Sequence, residues 1–299
     1  MATTYGDVIN ETLLNLAGYT MRQDRTTHLT ALASASATSL SFASVTNIGK
    51  GLIEIDDELV WLDTYDRVSS TGNVPPYGRG YQGTTAAEHA SGTKVTIAPT
   101  FPRQSVKKAI EDTIDASFPH LFSVSHIELT YSPQKTTYEL PADVQWITNV
   151  SWQTTGPSGE WLPVKSWRHD PMANHTAYAS GNTIGIYDRI TPGRKISVAY
   201  AAKPVKMSNT GDNFETVTGL PSSCKDVIIY GAAYRLSTFI DPGRLNYTSA
   251  EADQADTKIQ YGSGASTTRF LLALYQQRLN EEADKLRDAY PTRIHYTRF

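Results

Sequence analysis

A chain of 299 residues with 27 Lys and Arg against 30 Asp and Glu carries a formal net charge of −3, too balanced to announce a nucleic-acid groove or an affinity for anionic membranes. Its length allows roughly three quarters of the unfolded surface to be buried, and its single cysteine, Cys224, excludes an intramolecular disulfide and gives no zinc cluster. No basic segment followed by an apolar run opens the chain and no stretch of about 18 apolar residues occurs, so a soluble protein without a secretion signal or membrane span is expected.

The first helix is predicted from about Tyr5 to Tyr19, started by Thr4 with Asp7 and carrying Ile9, Leu13 and Leu16 on one face. From residue 31 to 99 the pattern changes to short β-type runs, "TSLSFASV", "GLIEI", "ELVWLDTY" and "TKVTIA", separated by Gly, Asn, Pro and Asp. A helix then returns near Pro102, with Val106, Ile110 and Ile114 at i, i+4 and i+8. Residues 126–202 are again β: "HIELTYS", "TTYELP", "VQWITNVSWQT", "EWLPVKSW", "NTIGIYD" and "KISVAYAAKP", with breakers between them that suit antiparallel hairpins.

Helices resume at Ser223 with Asp226, running to about Ile240, then at Thr248 with Glu251. The last, about Ser266 to Ala289, has Leu272, Tyr275, Leu279 and Leu286 on one stripe, and "YPTRIHYTRF" follows as an extended, aromatic and basic tail. The expected fold class is α+β: a helical frame with two antiparallel β-rich regions, one of them an inserted small module. The expected organisation is 1–30 for the N-terminal helix, 31–99 for the β module and 100–125 for the central helix. An antiparallel region spans 126–204, C-terminal helices 205–289, and the tail 290–299.

Several residue groups invite a chemical reading. Gly78, Gly80 and Gly83 match G-x-G-x-x-G, but a loop precedes them, Gly92 stops any helix, and Arg103 stands where a ribose-binding acid belongs, so turn glycines are expected rather than a nucleotide site. Glu88 and His89 are neighbours whose side chains point apart, and His89 reads as a structural hydrogen-bonding residue. His169, Asp170 and His175 lack the spacing of a zinc helix and are broken by Pro171. Asp56, Asp57 and Glu58 lack the ligand order of a calcium loop and read as a hairpin turn. Neither a nucleophile elbow nor a phosphate loop occurs, so no catalytic, cofactor or metal residues are assigned and no enzyme is expected. Seventeen Tyr and five Trp are instead suited to interfaces.

"GLIEIDDELVWLDTYD" followed by "GRGYQGTTAAEHASGTKVTI" resembles a module of bacteriophage neck and tail proteins. The matching residues are Arg79, Gly80, Gly83, Thr84, Ala86, His89, Gly92 and Val95. Together with "YELPADVQWITNVSW" and the C-terminal helix and tail, the layout resembles phage head-to-tail adaptor, or connector, proteins. The resemblance implies a virion protein of the phage neck, made in the host cytoplasm, with no cofactor. It implies a homo-oligomeric ring of about twelve copies, partnered by the portal protein and a downstream neck or tail protein, with double-stranded DNA passing through unbound. Tyr290, Arg293, Ile294, Tyr296, Arg298 and Phe299 are the expected portal contacts, since aromatic and Arg side chains dominate interface hot spots. The alternative is a tail or baseplate component that binds receptor or carbohydrate through Trp152, Trp161 and Trp167.

Overall fold

The computed structural model describes residues 3–18, 24–154, 159–238 and 263–291, the first five residues of the last segment by backbone alone. Within them the fold is mixed α+β, with five α-helices and four antiparallel sheets. In chain order the elements are α1 (Tyr5–Ala17), β1 (Arg25–His28), β2 (Ser39–Ser41), β3 (Gly51–Ile55), β4 (Glu58–Leu62), β5 (Thr64–Asp66), β6 (Thr71–Asn73), β7 (Lys94–Ile97) and α2 (Arg103–Ser117). Then follow β8 (Ser123–Thr130), β9 (Thr137–Glu139), β10 (Val144–Gln153), β11 (Trp161–Pro163), β12 (Trp167–Asp170), β13 (Thr183–Ile186) and β14 (Lys195–Ala202). Helices α3 (Phe214–Thr218), α4 (Lys225–Ser237) and α5 (Ser263–Ala289) close the list.

The chain forms two compact units, residues 7–112 with 229–273, and residues 1–6 with 113–228 and 274–299. The first holds the sheet β1-β7-β3-β4 and the small sheet β2-β6-β5, which share one core. Alternation makes that core: Ile53 and Ile55 of β3, Val60 and Leu62 of β4, and Val95 and Ile97 of β7 turn inward to meet Leu29, Leu40 and Phe42. Strand β1 pairs with β7 over Arg25↔Ile97 to His28↔Lys94. Its sequence, RTTH, has no apolar alternation, so these four residues of the segment assigned to the N-terminal helix are an edge strand.

The second unit joins the sheets β11-β10-β14-β8 and β12-β13-β9 over one core that includes Tyr138, Ile147, Val150, Ile184, Ile186, Ile196, Val198 and Tyr200. Strand β14 lies between β10 and β8 and pairs with β8 along eight residues, Lys195↔Thr130 to Ala202↔Ser123. The run "EWLPVKSW", expected as one strand, divides into β11 and β12 in different sheets. Pro163 has no N–H to donate, and after it the buried Val164 bonds back to the Val150 carbonyl at 2.9 Å before the chain changes sheet.

On α5 the stripe of Leu279 and Leu286 is buried, and it also takes in Leu271, Glu282 and Ala283. Glu282 sits there because it has partners: Ser223 Oγ donates to it at 2.5 Å and Lys285 Nζ at 2.6 Å, while Arg278 reaches Asp226 of α4 at 3.2 Å. The same crowding buries Cys224, whose thiol is pushed up to about 12 by burial and by the Glu282 charge. The helix expected from Thr248 lies outside the described residues.

Helix α3 ends on Gly219 at φ 70°, where a Cβ would stand 2.6 Å from the Ser123 Cβ. Gly219→Ala combines left-handed strain with that overlap, and we expect it to lower unfolding free energy by at least about 2 kcal/mol in a denaturant titration.

Candidate functional site

The β3–β4 hairpin turns at Asp56 and Asp57, with Asp56 at φ 52°, a region that Asp tolerates better than most residues. Register pairs Ile55 with Glu58, so Glu58 falls on the same inward face as Val60 and Leu62. Only 1% of Glu58 is exposed. A carboxylate in that position is tolerated only when its lone pairs are filled.

The loop that follows fills them. Arg79 donates through Nε at 2.7 Å and Nη2 at 2.8 Å, a two-pronged grip, and the amides of Gly80 and Ala87 donate at 2.9 and 3.1 Å. His89 Nε2 stands at 2.8 Å from the same carboxylate, and its Nδ1 at 2.9 Å from Asp56. Arg79 also donates to the carbonyls of Ser34 and Ala87. His89 is buried and its backbone exchanges two 2.9 Å hydrogen bonds with Ala33. These donors outweigh the cost of burial and hold the Glu58 carboxyl down at about 2, below its ordinary 4.5.

The remaining motif residues lie around this hub. Gly80 is at φ 60°, and a Cβ there would meet the Thr84 carbonyl at 2.8 Å and the Ala86 amide at 3.3 Å. Thr84 Oγ1 accepts from the Leu59 amide of β4 at 3.1 Å and donates to the Tyr81 carbonyl at 2.9 Å. A three-residue 3₁₀ turn, Tyr81–Gly83, stands where a nucleotide fingerprint would open a helix. Gly92 ties back to the Leu29 carbonyl at 2.7 Å, and Val95 enters the core. Sequence reading left Glu58 in the turn and missed its role. The signal was parity: an acid on the apolar face of a hairpin needs charged and hydrogen-bonding partners, and the loop supplies the Arg79 guanidinium and the His89 ring.

Glu54, on the opposite face of β3, is the contrast. It is buried as well, but the contact recorded for its carboxylate is the Arg103 amide at the start of α2, at 2.5 Å. The Arg103 side chain turns to Asp57 at 3.2 Å and Asn10 at 2.9 Å, and Lys107 reaches Asp57 at 2.9 Å. Burial therefore dominates and pushes the Glu54 carboxyl from 4.5 up to about 7.

The other groups singled out in sequence are dispersed. His169 and Asp170 lie in β12, where Asp170 accepts from the Met172 amide at 3.1 Å, while the His175 ring lies against Gly181. Among the described residues no three His, Cys, Asp or Glu side chains gather to hold a metal. Trp152 and Trp167 pack on the core of the two-sheet unit, and Trp161 is 40% exposed. Tyr290, 42% exposed, follows α5 directly, and Arg293, Ile294, Tyr296, Arg298 and Phe299 lie outside the described residues.

What decides the class is the similarity of the chain from α2 onward, which matches the SU10 adaptor protein family over residues 102–294 of the 299. The chain belongs to that family. It is therefore a phage structural adaptor, a component of the virion and a partner of other phage particle proteins. No curated protein matches the chain. The matched span begins after β7, so the Glu58 hub lies ahead of it. Among the described residues no helix of the adaptor is long and apolar enough to cross a membrane.

Two predictions follow from the paired glutamates. His89→Ala removes a partner of a buried charge and is expected to destabilise the protein by about 2–4 kcal/mol in calorimetry or denaturant titration; intact thermal stability would refute the tie. For Glu54, whose carboxyl is raised in the fold, the stability contribution is full below 4.5 and is lost as pH rises through about 7. Glu54→Gln should then match the parent at pH 4.5 and exceed it at pH 8 by up to about 3 kcal/mol, at about 1.4 kcal/mol per pH unit. Glu58 has the opposite sign, stabilising above 4.5 and losing that effect only as pH falls through about 2.

Proposed function

We propose that the protein is a head-to-tail adaptor of the phage neck, made in the host cytoplasm and assembled as a ring of about twelve copies between the portal and the next neck or tail protein. The observation that carries the reading is the family match over residues 102–294, which takes in α2, the two-sheet unit and the C-terminal helix. On this reading the N-terminal, central and C-terminal helices are the frame and the β module is an insertion in its sequence. Double-stranded DNA passes through the lumen during packaging and ejection.

A ring of this kind gains affinity from repeated modest interfaces, since each added copy engages its neighbours at high effective concentration. The tail is the portal contact. After Ala289 the chain leaves α5 through Tyr290 and Pro291, and Arg293, Ile294, Tyr296, Arg298 and Phe299 offer the aromatic and guanidinium groups that anchor interfaces.

Removal of residues 290–299 is expected to leave a folded protein that no longer co-sediments with purified portal. Unchanged co-sedimentation would overturn the tail's role. Electron microscopy of the intact chain with portal should show about twelvefold rings, whereas free trimers would favour a receptor-binding tail component.

A further inference from the structure

We infer that one end of the two-sheet unit, built from the turns 131–136 and 187–194 and from β12, is a phosphate-contacting surface for double-stranded DNA. The inference deepens the adaptor reading and rests on it for the presence of DNA. The topology gathers the cations. Strand β8 ends at Thr130 opposite Lys195, the Tyr131 amide bonds the Arg194 carbonyl at 2.8 Å, and Gly193 bonds back to Tyr131 at 2.9 Å. Tyr187 bonds the Ser166 carbonyl at 3.0 Å and the Lys165 amide bonds Asp188 at 2.5 Å, which brings the start of β12 to the same turn.

Lys135, Lys165, Arg168, Arg189, Arg194 and Lys195 therefore share this end. The acids near them are Asp188, already engaged by the Lys165 amide, Glu128, paired with Lys195 at 2.7 Å, Asp170, engaged by Met172, and Glu160. Among the described residues the other five cations make no ion pair. The cations outnumber the four carboxylates at this end, which is therefore net positive in a chain of net charge −3, the arrangement that attracts a polyanion locally without a basic overall composition.

Phosphate is favoured over an acidic protein surface by what surrounds the charges. A protein interface needs an apolar centre, and here only Tyr187, 60% exposed, and Trp161 offer exposed rings. Gly185 leaves room for the Tyr187 ring, since a Cβ would lie 2.8 Å from its hydroxyl, and Arg168 is directly across from Gly185 on β12. The hydroxyl and guanidinium thus stand on one outer face as two donors of the kind that position a duplex through its backbone. Among the described residues there, nothing has the form of an element that enters a groove, so contact is independent of sequence. A few such contacts per copy, lost readily in salt, hold DNA without trapping it.

The test measures anisotropy of a fluorescent random-sequence DNA duplex with the full-length chain across salt concentrations. Binding should fall as salt rises. Reversal of two exposed cations, Lys135→Glu with Arg189→Glu, should weaken binding at least about tenfold at low salt and flatten the slope of log K against log salt by about 2. The same reversal on the β module, Arg25→Glu with Lys94→Glu, should leave binding within about threefold. Equal loss in both variants, no duplex binding at all, or stronger competition by polyglutamate than by unlabelled duplex would overturn the surface. Thermal melting confirms that each variant is folded. Portal co-sedimentation separates the two readings: the Lys135 and Arg189 variant should still join portal, and the tail-deleted chain should still bind duplex.

Discussion

The β module depends on one buried negative charge. Glu58 occupies a site where strand alternation asks for an apolar side chain, and an ion there must be met by donors or the hairpin fails. Meeting it organises the next thirty or so residues. A loop with almost no regular structure between β6 and β7 acquires one conformation because Arg79, Gly80, Ala87 and His89 all converge on the same two oxygens. The loop in turn covers the outer edge of β4, where the Leu59 and Trp61 amides donate to Thr84 and Gly78. An edge strand that would otherwise offer its amides to another chain is closed from within.

Glu54 and Glu58 sit four residues apart on one hairpin and differ in what donates to them. Two backbone amides, a guanidinium and an imidazole surround Glu58, and its carboxyl stays ionised far into acid. Glu54 meets the first amide of α2, and desolvation prevails, so the same residue type titrates near neutrality. Burial alone does not set the charge state of a carboxylate. The number and charge of its donors do. Glu282 belongs with Glu58: it is buried on α5 yet held below the ordinary carboxylate range by Lys285 and Ser223, which outweigh its burial.

The family match begins at α2, after the module has ended. The chain therefore joins a segment with family relatives to a module whose Glu58 hub is closed by contacts within residues 33–89, while its hairpin is also tied to the start of the matched part through Glu54 and Asp57, which meet Arg103 and Lys107. Composition misleads here. A net charge of −3 describes the whole chain, whereas the end of the two-sheet unit is locally basic.

Period and punctuation in the sequence determined much. β-type runs between breakers located β3, β4, β7, β10, β13 and β14, helical spacing located α1, α2 and α5, and the start signal at Ser223 and Asp226 located α4. The spacing from Arg79 to Val95 marked the loop as a unit. Local pattern could not supply β1, whose four polar residues become a strand only because β7 lies beside them, nor the division of "EWLPVKSW" between two sheets. It could not show that Glu58, rather than Glu88, is the partner of His89, since residues 31 positions apart meet only once the hairpin register is set. Sequence chose the elements, because periodicity is a local property. The tertiary structure decided which charges are buried, paired or left facing solvent, because those depend on neighbours that the chain brings together only by folding.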